Sequence, residues 1–504
     1  MTKKINGFFS QPRVADLLVL VAGLLLPFAF APYNLAYLAF PLFAIFSYLL
    51  INQSNRRSFW RGWLFGFGQF VFAFSWIFHS IHTFGQAPAA LAVIMIILLA
   101  AYCAIYTGLA AYLSQKFFSY NVFVFLLAGL PLMWALTEWL RGYVFTGFPW
   151  LAAGVSQTDT SLAYFASVLG ALGIGAIVVL ISGLIVLMVL LPQRIRIYLP
   201  AVILIFLFGQ LLSIINWSET ISEPLKVSVL QLSITQDQKW ESENKIPSMN
   251  WYLQQTLAHK DSDIIVWPET AIPSFINRVK PYWNRVINQA EESQTDVIVG
   301  VFMRDEETGR YYNSMVGTNG DYYQKKHLVP LGEYMPFRGV FEFLRNYIHF
   351  PLSNIANGKD DQPLMTIAGH AAGVSICFED VFDRDIRSAL PEAKFLINAS
   401  NDGWFKMTAE PFQHHQIARM RAMEASRFMI RATSTGVSSI IGPKGEELVT
   451  SKMFDKTTIS GEIRAMKGAT PFVFWGNWPL ILLGVLGLGW RVYVGLQNRH
   501  TSQK

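Results

Sequence analysis

Eight apolar runs, each near the about 20 residues that a bilayer-spanning helix needs, set the frame in which the rest of this chain must fold. They lie near 14–31, 33–51, 62–79, 89–113, 121–139, 163–191, 197–216 and 474–494. Seven crowd into residues 1–217, which hold three acids (Asp16, Glu138, Asp159) against ten Lys/Arg. Residues 218–470 hold 31 acids and 27 bases, an ordinary soluble balance, and residues 471–504 hold three bases and no acid. The overall 15% of charged residues, against about 25% in soluble domains, therefore averages two different solvents. The expected architecture is a polytopic α-helical membrane bundle of about eight spans with an α/β domain set into it: a membrane domain at 1–217, a soluble domain at 218–473, and a last helix with its tail at 474–504. Pro27, Pro32 and Pro41 blur the first two boundaries. Ala29–Phe30–Ala31 mimics a signal-peptide cleavage site, but Pro32 and the further spans favour a retained helix.

Orientation follows from the short loops. Lys3, Lys4 and Arg13 precede the first run, Arg56, Arg57 and Arg61 lie between the second and third, Lys116 follows the fourth, Arg194 and Arg196 follow the sixth, and Arg491, Arg499 and Lys504 follow the eighth. The alternate loops hold one base, Arg141. Positive charge stays in the cytoplasm, so both termini are expected there. Seven crossings then place 218–473 outside, on the periplasmic side of a bacterial inner membrane. The net charge of +6 belongs to helix flanks and gives no reason to expect nucleic acid as a partner. The two cysteines cannot build a disulfide scaffold. Cys103 falls in a bilayer run and Cys377 in the soluble domain, so Cys377 is expected to be a free thiol.

Within the soluble domain, LKVSVLQL (225–232), DIIVWPET (263–270), DVIVGVFM (296–303), GVSICFED (373–380), FLINASN (395–401) and FMIRATST (428–435) read as buried strands, and stretches near 244–260, 274–293 and 410–427 as helices. The alternation predicts a layered α/β domain with a largely buried sheet.

Chemistry-bearing residues stand where apolar strands stop. Glu269 closes IIVWPET, Lys325 sits in YYQKKHLVPLGEYMPF, and Cys377 closes GVSICFED. A thiol becomes nucleophilic as thiolate, and a nearby cation lowers its pKa. Glu269 suits a general base, and Lys325, with the Phe378 backbone N–H, suits the oxyanion of a tetrahedral intermediate. The set points to acyl transfer through a thioester. Each residue also has a plainer reading. Cys377 can be small core filling, Thr270 can cap a following helix, and the Lys325–Lys326 pair can be a solvated face. His327, His370, His414 and His415 show no metal-ligand spacing, so no metal and no cofactor is expected.

WPET, K-x-H-L-V-P-x-G-E and C-x-E, in this order, resemble the nitrilase (carbon–nitrogen hydrolase) superfamily. The helical frame, TEWLRGYVFTGFPW (137–150), NASNDGWF (398–405) and RAMEASRFMIRATSTGVSSIIGPKG (421–445) are similar to its membrane-embedded apolipoprotein N-acyltransferase family. The resemblance implies an αββα sandwich with a Glu269–Lys325–Cys377 triad. Glu333 would orient Lys325 or assist proton movement, and Glu379 would follow the nucleophile as the family has it. Trp240 in QDQKW and Trp404 would be aromatics of the substrate region. Phe378 stands where tyrosine is expected, which removes a hydroxyl and leaves the backbone N–H. The implied acyl donor is a phospholipid, typically phosphatidylethanolamine. The implied acceptor is the α-amine of a diacylglyceryl-cysteine at an apolipoprotein N-terminus.

Drawing such chains from apolar surroundings costs about 0.8 kcal/mol per CH₂, so the site is expected at the bilayer surface. FRGVFEFLRNYIHFPL (337–352), with Phe341 and Phe343, reads as an amphipathic arm entering the interface. Glu379 and Asp380 would raise the thiol pKa, and are expected to pair with bases instead. A membrane-tethered amidase or nitrilase would use the same triad with water ending the thioester. A transporter with an outer sensing domain would need ionisable groups inside its helices, and these runs hold almost none.

Overall fold

The computed structural model describes residues 11–336, 339, 347–348 and 355–501. They form two compact units, one of Met1–Ser75, Val93–Ile215 and Phe474–Lys504, the other of Trp76–Ala92 and Asn216–Val473. Phe341 and Phe343 of the expected arm lie outside the described residues. Of their neighbours, Tyr347 is exposed and Ile348 buried.

Among the described residues, five helical stretches are long and apolar enough to cross a membrane: Pro12–Ala29, Ala89–Phe118, Val122–Arg141, Ser161–Leu190 and Pro192–Leu212. Two shorter apolar helices, Ala36–Leu50 and Trp478–Val494, match the second and eighth runs. The third run is different. Its helix begins at Asn55, where the Ser54 hydroxyl accepts from the Arg57 N–H at 3.3 Å, and it stops at Ala73. Arg56, Arg57 and Arg61, read from sequence as loop bases, therefore lie in its first two turns. Arg57 and Arg61 donate to Asp16 at 2.6 and 3.0 Å, so this acid settles two bases that hydropathy alone would leave in water. The signature TEWLRGYVFTGFPW closes on itself. The Arg141 guanidinium donates to the carbonyls of Phe148 and Trp150, each at 2.7 Å, and pairs with Glu138 at 3.3 Å.

The second unit carries the sheets. Its strands in chain order are β1 (Ser218–Thr220), β2 (Leu225–Gln231), β3 (Ile264–Val266), β4 (Ile272–Phe275), β5 (Asp296–Arg304), β6 (Tyr311–Gly317), β7 (Tyr322–Gln324), β8 (Met365–Ile367), β9 (His370–Ile376), β10 (Phe395–Ser400), β11 (Met429–Thr433), β12 (Ser439–Ile441), β13 (Glu447–Thr450), β14 (Thr457–Ile463) and β15 (Met466–Gly468). One sheet runs β14-β2-β3-β5-β6-β7, with β4 beside β5, and the other runs β13-β12-β11-β10-β9-β8. β1 and β15 form a separate antiparallel pair. The centres are parallel (β2, β3 and β5; β9, β10 and β11) and the edges antiparallel.

Side-chain alternation builds the layers. Val227, Val229, Ile264, Val266 and Ile298 of one sheet pack with Ile376, Phe395, Ile397, Ile430 and Ala432 of the other. The opposite face of the first sheet (Leu230, Ile265, Val297, Val299) is covered by helices Ser242–Ala258 and Lys280–Ser293. That of the second (Leu396, Met429) is covered by Glu410–Ala425. This is an αββα sandwich. The stretch expected as a helix over 274–293 begins instead with β4, and its helix starts at Lys280. Thr270 therefore caps no helix.

Candidate active site

Glu269, Lys325 and Cys377 each follow directly on a strand of the two central sheets, where a rigid ladder fixes the backbone. Beyond β3, Trp267 prolongs the ladder, its N–H donating to the Ile298 carbonyl at 2.8 Å, and its ring stacks on Tyr252 at 4.7 Å. Pro268 then ends it and presents Glu269. Gly300 on β5 makes room for this turn: a Cβ there would meet the Pro268 carbonyl oxygen at 2.2 Å and the Glu269 Cα at 2.7 Å. Lys325 follows β7, its N–H donating to the Asn313 carbonyl at 2.9 Å. Cys377 follows β9 with φ of +53°. That left-handed backbone is uncommon for a residue with a side chain and marks a sharp turn off the strand.

The polar atoms converge. Lys325 Nζ lies 2.9 Å from Glu333 and 4.0 Å from Glu269 Oε1. Asn313 Nδ2 donates to Glu269 Oε1 at 2.6 Å and to Glu333 Oε1 at 3.3 Å. Glu333 also accepts from the Val329 N–H at 2.8 Å. Asn313 and Lys325 thus each bridge the two carboxylates. Asn313 was missed from the sequence because YYNSMVG was not read as a strand; an amide amid apolar strand residues was the available signal.

The charges set protonation. Burial drives Glu269 above the ordinary carboxyl range, partly countered by Lys325. Burial pulls Lys325 down, but Glu333, Cys377 and Glu269 outweigh it and hold the ammonium above its usual value. Cys377 is pushed up to about 12 by burial and the Glu269 charge, against which Lys325 and His414 act. A group held that high rests as a thiol, in keeping with the expectation from sequence that a base would have to take its proton.

Among the described residues Glu379 forms no ion pair with a base, contrary to the sequence reading. Its carboxylate accepts from the backbone N–H groups of Lys326 (2.6 Å), His327 (3.0 Å) and Ile376 (2.7 Å), and from the Tyr323 hydroxyl at 3.0 Å. It staples the Lys325 loop to the Cys377 turn. Burial lifts it to about 7. Asp380 does pair with bases, Arg431 at 3.2 Å and His414 at 2.7 Å. His414 and Arg431 both reach Asp402 as well, at 3.2 Å. His414 Nε2 also lies 3.3 Å from the Cys377 carbonyl oxygen, which Asn398 Nδ2 approaches at 3.3 Å. This buried network adjoins Cys377 and was not found from sequence, although Arg431 inside an apolar strand was its signal. Asp402, Glu410 and His414 bring donor atoms within 4.8 Å of one another, and two cations, Arg431 and His414, already balance the charge of Asp380 and Asp402.

Phe378 packs its ring edge-on against His327 and Phe382, at 6.0 and 5.1 Å. Trp240 is 44% exposed, with its ring 6.0 Å from that of Phe302. Trp404 has a different aromatic neighbour, its ring 5.3 Å from that of Phe84. The loops bearing the two tryptophans are tied by Asn401 Nδ2 donating to Gln236 Oε1 at 2.7 Å.

Residues 22–184 match the family described as apolipoprotein N-acyltransferase N-terminal domain, and residues 226–471 match carbon-nitrogen hydrolase. The apolipoprotein N-acyltransferase of Methylococcus capsulatus is 38% identical over 94% of this chain and 95% of its own length. This chain belongs to the apolipoprotein N-acyltransferase family. The apolipoprotein N-acyltransferases of Vibrio vulnificus and Coxiella burnetii are each 33% identical, over 93% and 92% of this chain and 95% and 97% of their own lengths. Among solved structures, the carbon-nitrogen hydrolase from Helicobacter pylori G27 is 17% identical, covers 48% of this chain and 89% of its own, and has a TM-score of 0.37. That likeness is too low to add to the assignment. The apolipoprotein N-acyltransferase frame accounts for the helical first unit, which a soluble carbon–nitrogen hydrolase has no use for.

Proposed function

We propose that this protein transfers an acyl chain from a phospholipid to the α-amine of the N-terminal diacylglyceryl-cysteine of apolipoproteins, with Cys377 as acyl carrier. The carrying observation is the convergence of Glu269, Asn313, Lys325 and Glu333 beside a thiol on a left-handed turn. Glu269 takes the Cys377 proton as sulfur attacks the ester carbonyl. Lys325 Nζ and the Phe378 N–H hold the oxyanion, the ester C–O bond breaks, and Glu269 returns the proton to the departing lysophospholipid oxygen. The lipoprotein amine then attacks the thioester, a C–N bond forms, the C–S bond breaks, and the amine proton passes through Glu269 back to the thiol. A base raised by burial towards working pH suits both proton transfers. Glu333 and Asn313 hold Lys325 and Glu269 in register.

Phosphatidylethanolamine is the proposed donor, and Trp240, Trp404 and the segment bearing Phe341 and Phe343 the proposed lipid contacts. The proposed setting is the bacterial inner membrane, with 218–473 periplasmic and both termini cytoplasmic. An impermeant thiol reagent should label a cysteine at Glu307 but not at Gln53 in intact cells. The decisive experiment is intact-mass analysis after incubation with phospholipid alone. A hydroxylamine-labile acyl group should appear on Cys377 and be absent in Cys377→Ala, and acyl transfer by that variant would refute the mechanism.

A further inference from the structure

Lys239 is the buried charge that the proposed reaction leaves unused. It ends the short helix Gln236–Lys239 and is 3% exposed. Its Nζ donates to the Glu269 carbonyl oxygen at 3.0 Å and to the Thr270 hydroxyl at 2.6 Å. The two bonds grip the main chain immediately after the general base. Thr270, with φ of +47°, holds a backbone that a β-branched residue adopts only when its surroundings impose it. Charge-assisted hydrogen bonds are about twice as strong as neutral ones, and an ammonium is the donor that imposes most here.

The other end of the same helix is fastened too, by the Gln236–Asn401 bond. The next residue is Trp240, which emerges half-exposed beside Phe302. A helix of four residues therefore joins three things: the loop after β10, the turn presenting Glu269, and an exposed aromatic.

We infer that Lys239 is a positioning residue for Glu269, clamping the base from the loop that bears Trp240, so that the orientation of the base is set from the substrate side. The inference rests on the thioester reading above. It differs from a general packing role in depending on the ammonium charge. Burial pulls Lys239 down to about 8, and the Glu269 carboxylate facing it raises it in part. Asp237, on the same helix, is held by Thr235 and its own turn, and Lys325 and Glu333 also act on Glu269. The clamp is charged at neutral pH and loses its charge as pH rises through about 8.

The test is the rate of Cys377 acylation, read by intact mass in single turnovers, from phosphatidylethanolamine in detergent micelles between pH 6.5 and 9.5. Wild type should lose rate above pH 8. Lys239→Met should acylate at least tenfold more slowly at pH 7 with donor KM within twofold, and its profile should lack the alkaline limb. Thr270→Val, isosteric and without the hydroxyl acceptor, should be slowed less and keep the limb. If Lys239→Met does not fold, Thr270→Val and the wild-type limb decide. Wild-type rate in either foldable variant, a loss confined to KM, or a limb unchanged in Lys239→Met overturns the inference. Absence of any acyl group on wild-type Cys377 overturns the thioester reading instead, so the two failures are told apart.

Discussion

Glu379→Gln tests whether this carboxylate is a staple or a chemical participant. Its Oε1 takes the N–H groups of Lys326 and His327, its Oε2 takes that of Ile376, and Tyr323 reaches both. Glutamine can keep one oxygen. Placed towards Lys326 and His327, it turns its amide NH₂ against the Ile376 N–H, 2.7 Å from the present oxygen. Tyr323 can reverse and accept, but a backbone N–H cannot. One orphaned buried donor costs about 1–3 kcal/mol, and turning two charge-assisted bonds into neutral ones costs about 1 kcal/mol each. Relief of a buried charge offsets part of this and leaves about 2–3 kcal/mol. At about 2–4 °C per kcal/mol for a domain of this size, the melting midpoint should fall by roughly 5–10 °C. The assay is tryptophan fluorescence during heating of detergent-purified protein at pH 8, above the titration of Glu379, beside the acylation rate. Tyr323→Phe, which leaves the three N–H bonds in place, should shift the midpoint by less than half as much. A Glu379→Gln variant that melts like wild type yet fails to acylate would refute the staple and make Glu379 a partner in the reaction.

Alkylation of Cys377 by a small neutral iodoacetamide should quicken about tenfold per pH unit from pH 7 to 10 without a plateau, since the thiol titrates at about 12; a plateau near neutral pH would mean a preformed thiolate. Gly300→Ala should cut acylation at least tenfold and cost about 1–3 kcal/mol of stability, as overpacking does, because the added methyl strikes main chain at Pro268 and Thr270; a silent change, read by the same two assays, would show that the turn can yield. Lys325→Arg should lose on the order of 10²-fold in rate, the loss typical of removing one oxyanion donor, since a guanidinium cannot reproduce the Nζ position between Glu333 and Glu269; steady-state kcat reports it, and a loss below tenfold would mean that the charge matters and the geometry does not.

The parts legible in the sequence were those written in long runs. Parallel strands buried on both faces, such as DVIVGVFM, announce themselves as apolar blocks, and three of them stop at Glu269 and Cys377 or carry Arg431. The short antiparallel strands were not legible: β7, β8 and β12 have three residues each, too few for any period to show. Glu269, Lys325 and Cys377 were picked out where strand ends and a resemblance coincided, Glu333 and Glu379 by the resemblance alone, and the structure brings Glu269, Lys325 and Glu333 together. It was not readable where the partner comes from another sheet strand or helix. Asn313, His414 and Asp402 become neighbours of the triad only through the sandwich, and no local spacing encodes that. Arg57 and Arg61 failed for a related reason: their acid, Asp16, is on another helix.

The second unit is not one stretch of chain. Trp76–Ala92 belongs to it together with Asn216–Val473. Trp76 meets the Phe405 ring at 4.8 Å, and Phe84 meets Trp404 and receives Lys406 over its face at 6.0 Å. A gene fragment cut at 216 and 473 would therefore deliver the sheets without the aromatic lining of the Trp404 loop, and leave the Trp404 and Phe405 rings without Phe84 and Trp76, which they now face. Anyone wishing to handle this catalytic domain in water has to graft the short 76–92 segment back as a covalent insert, or supply it as a peptide, before the loop can be expected to keep its shape.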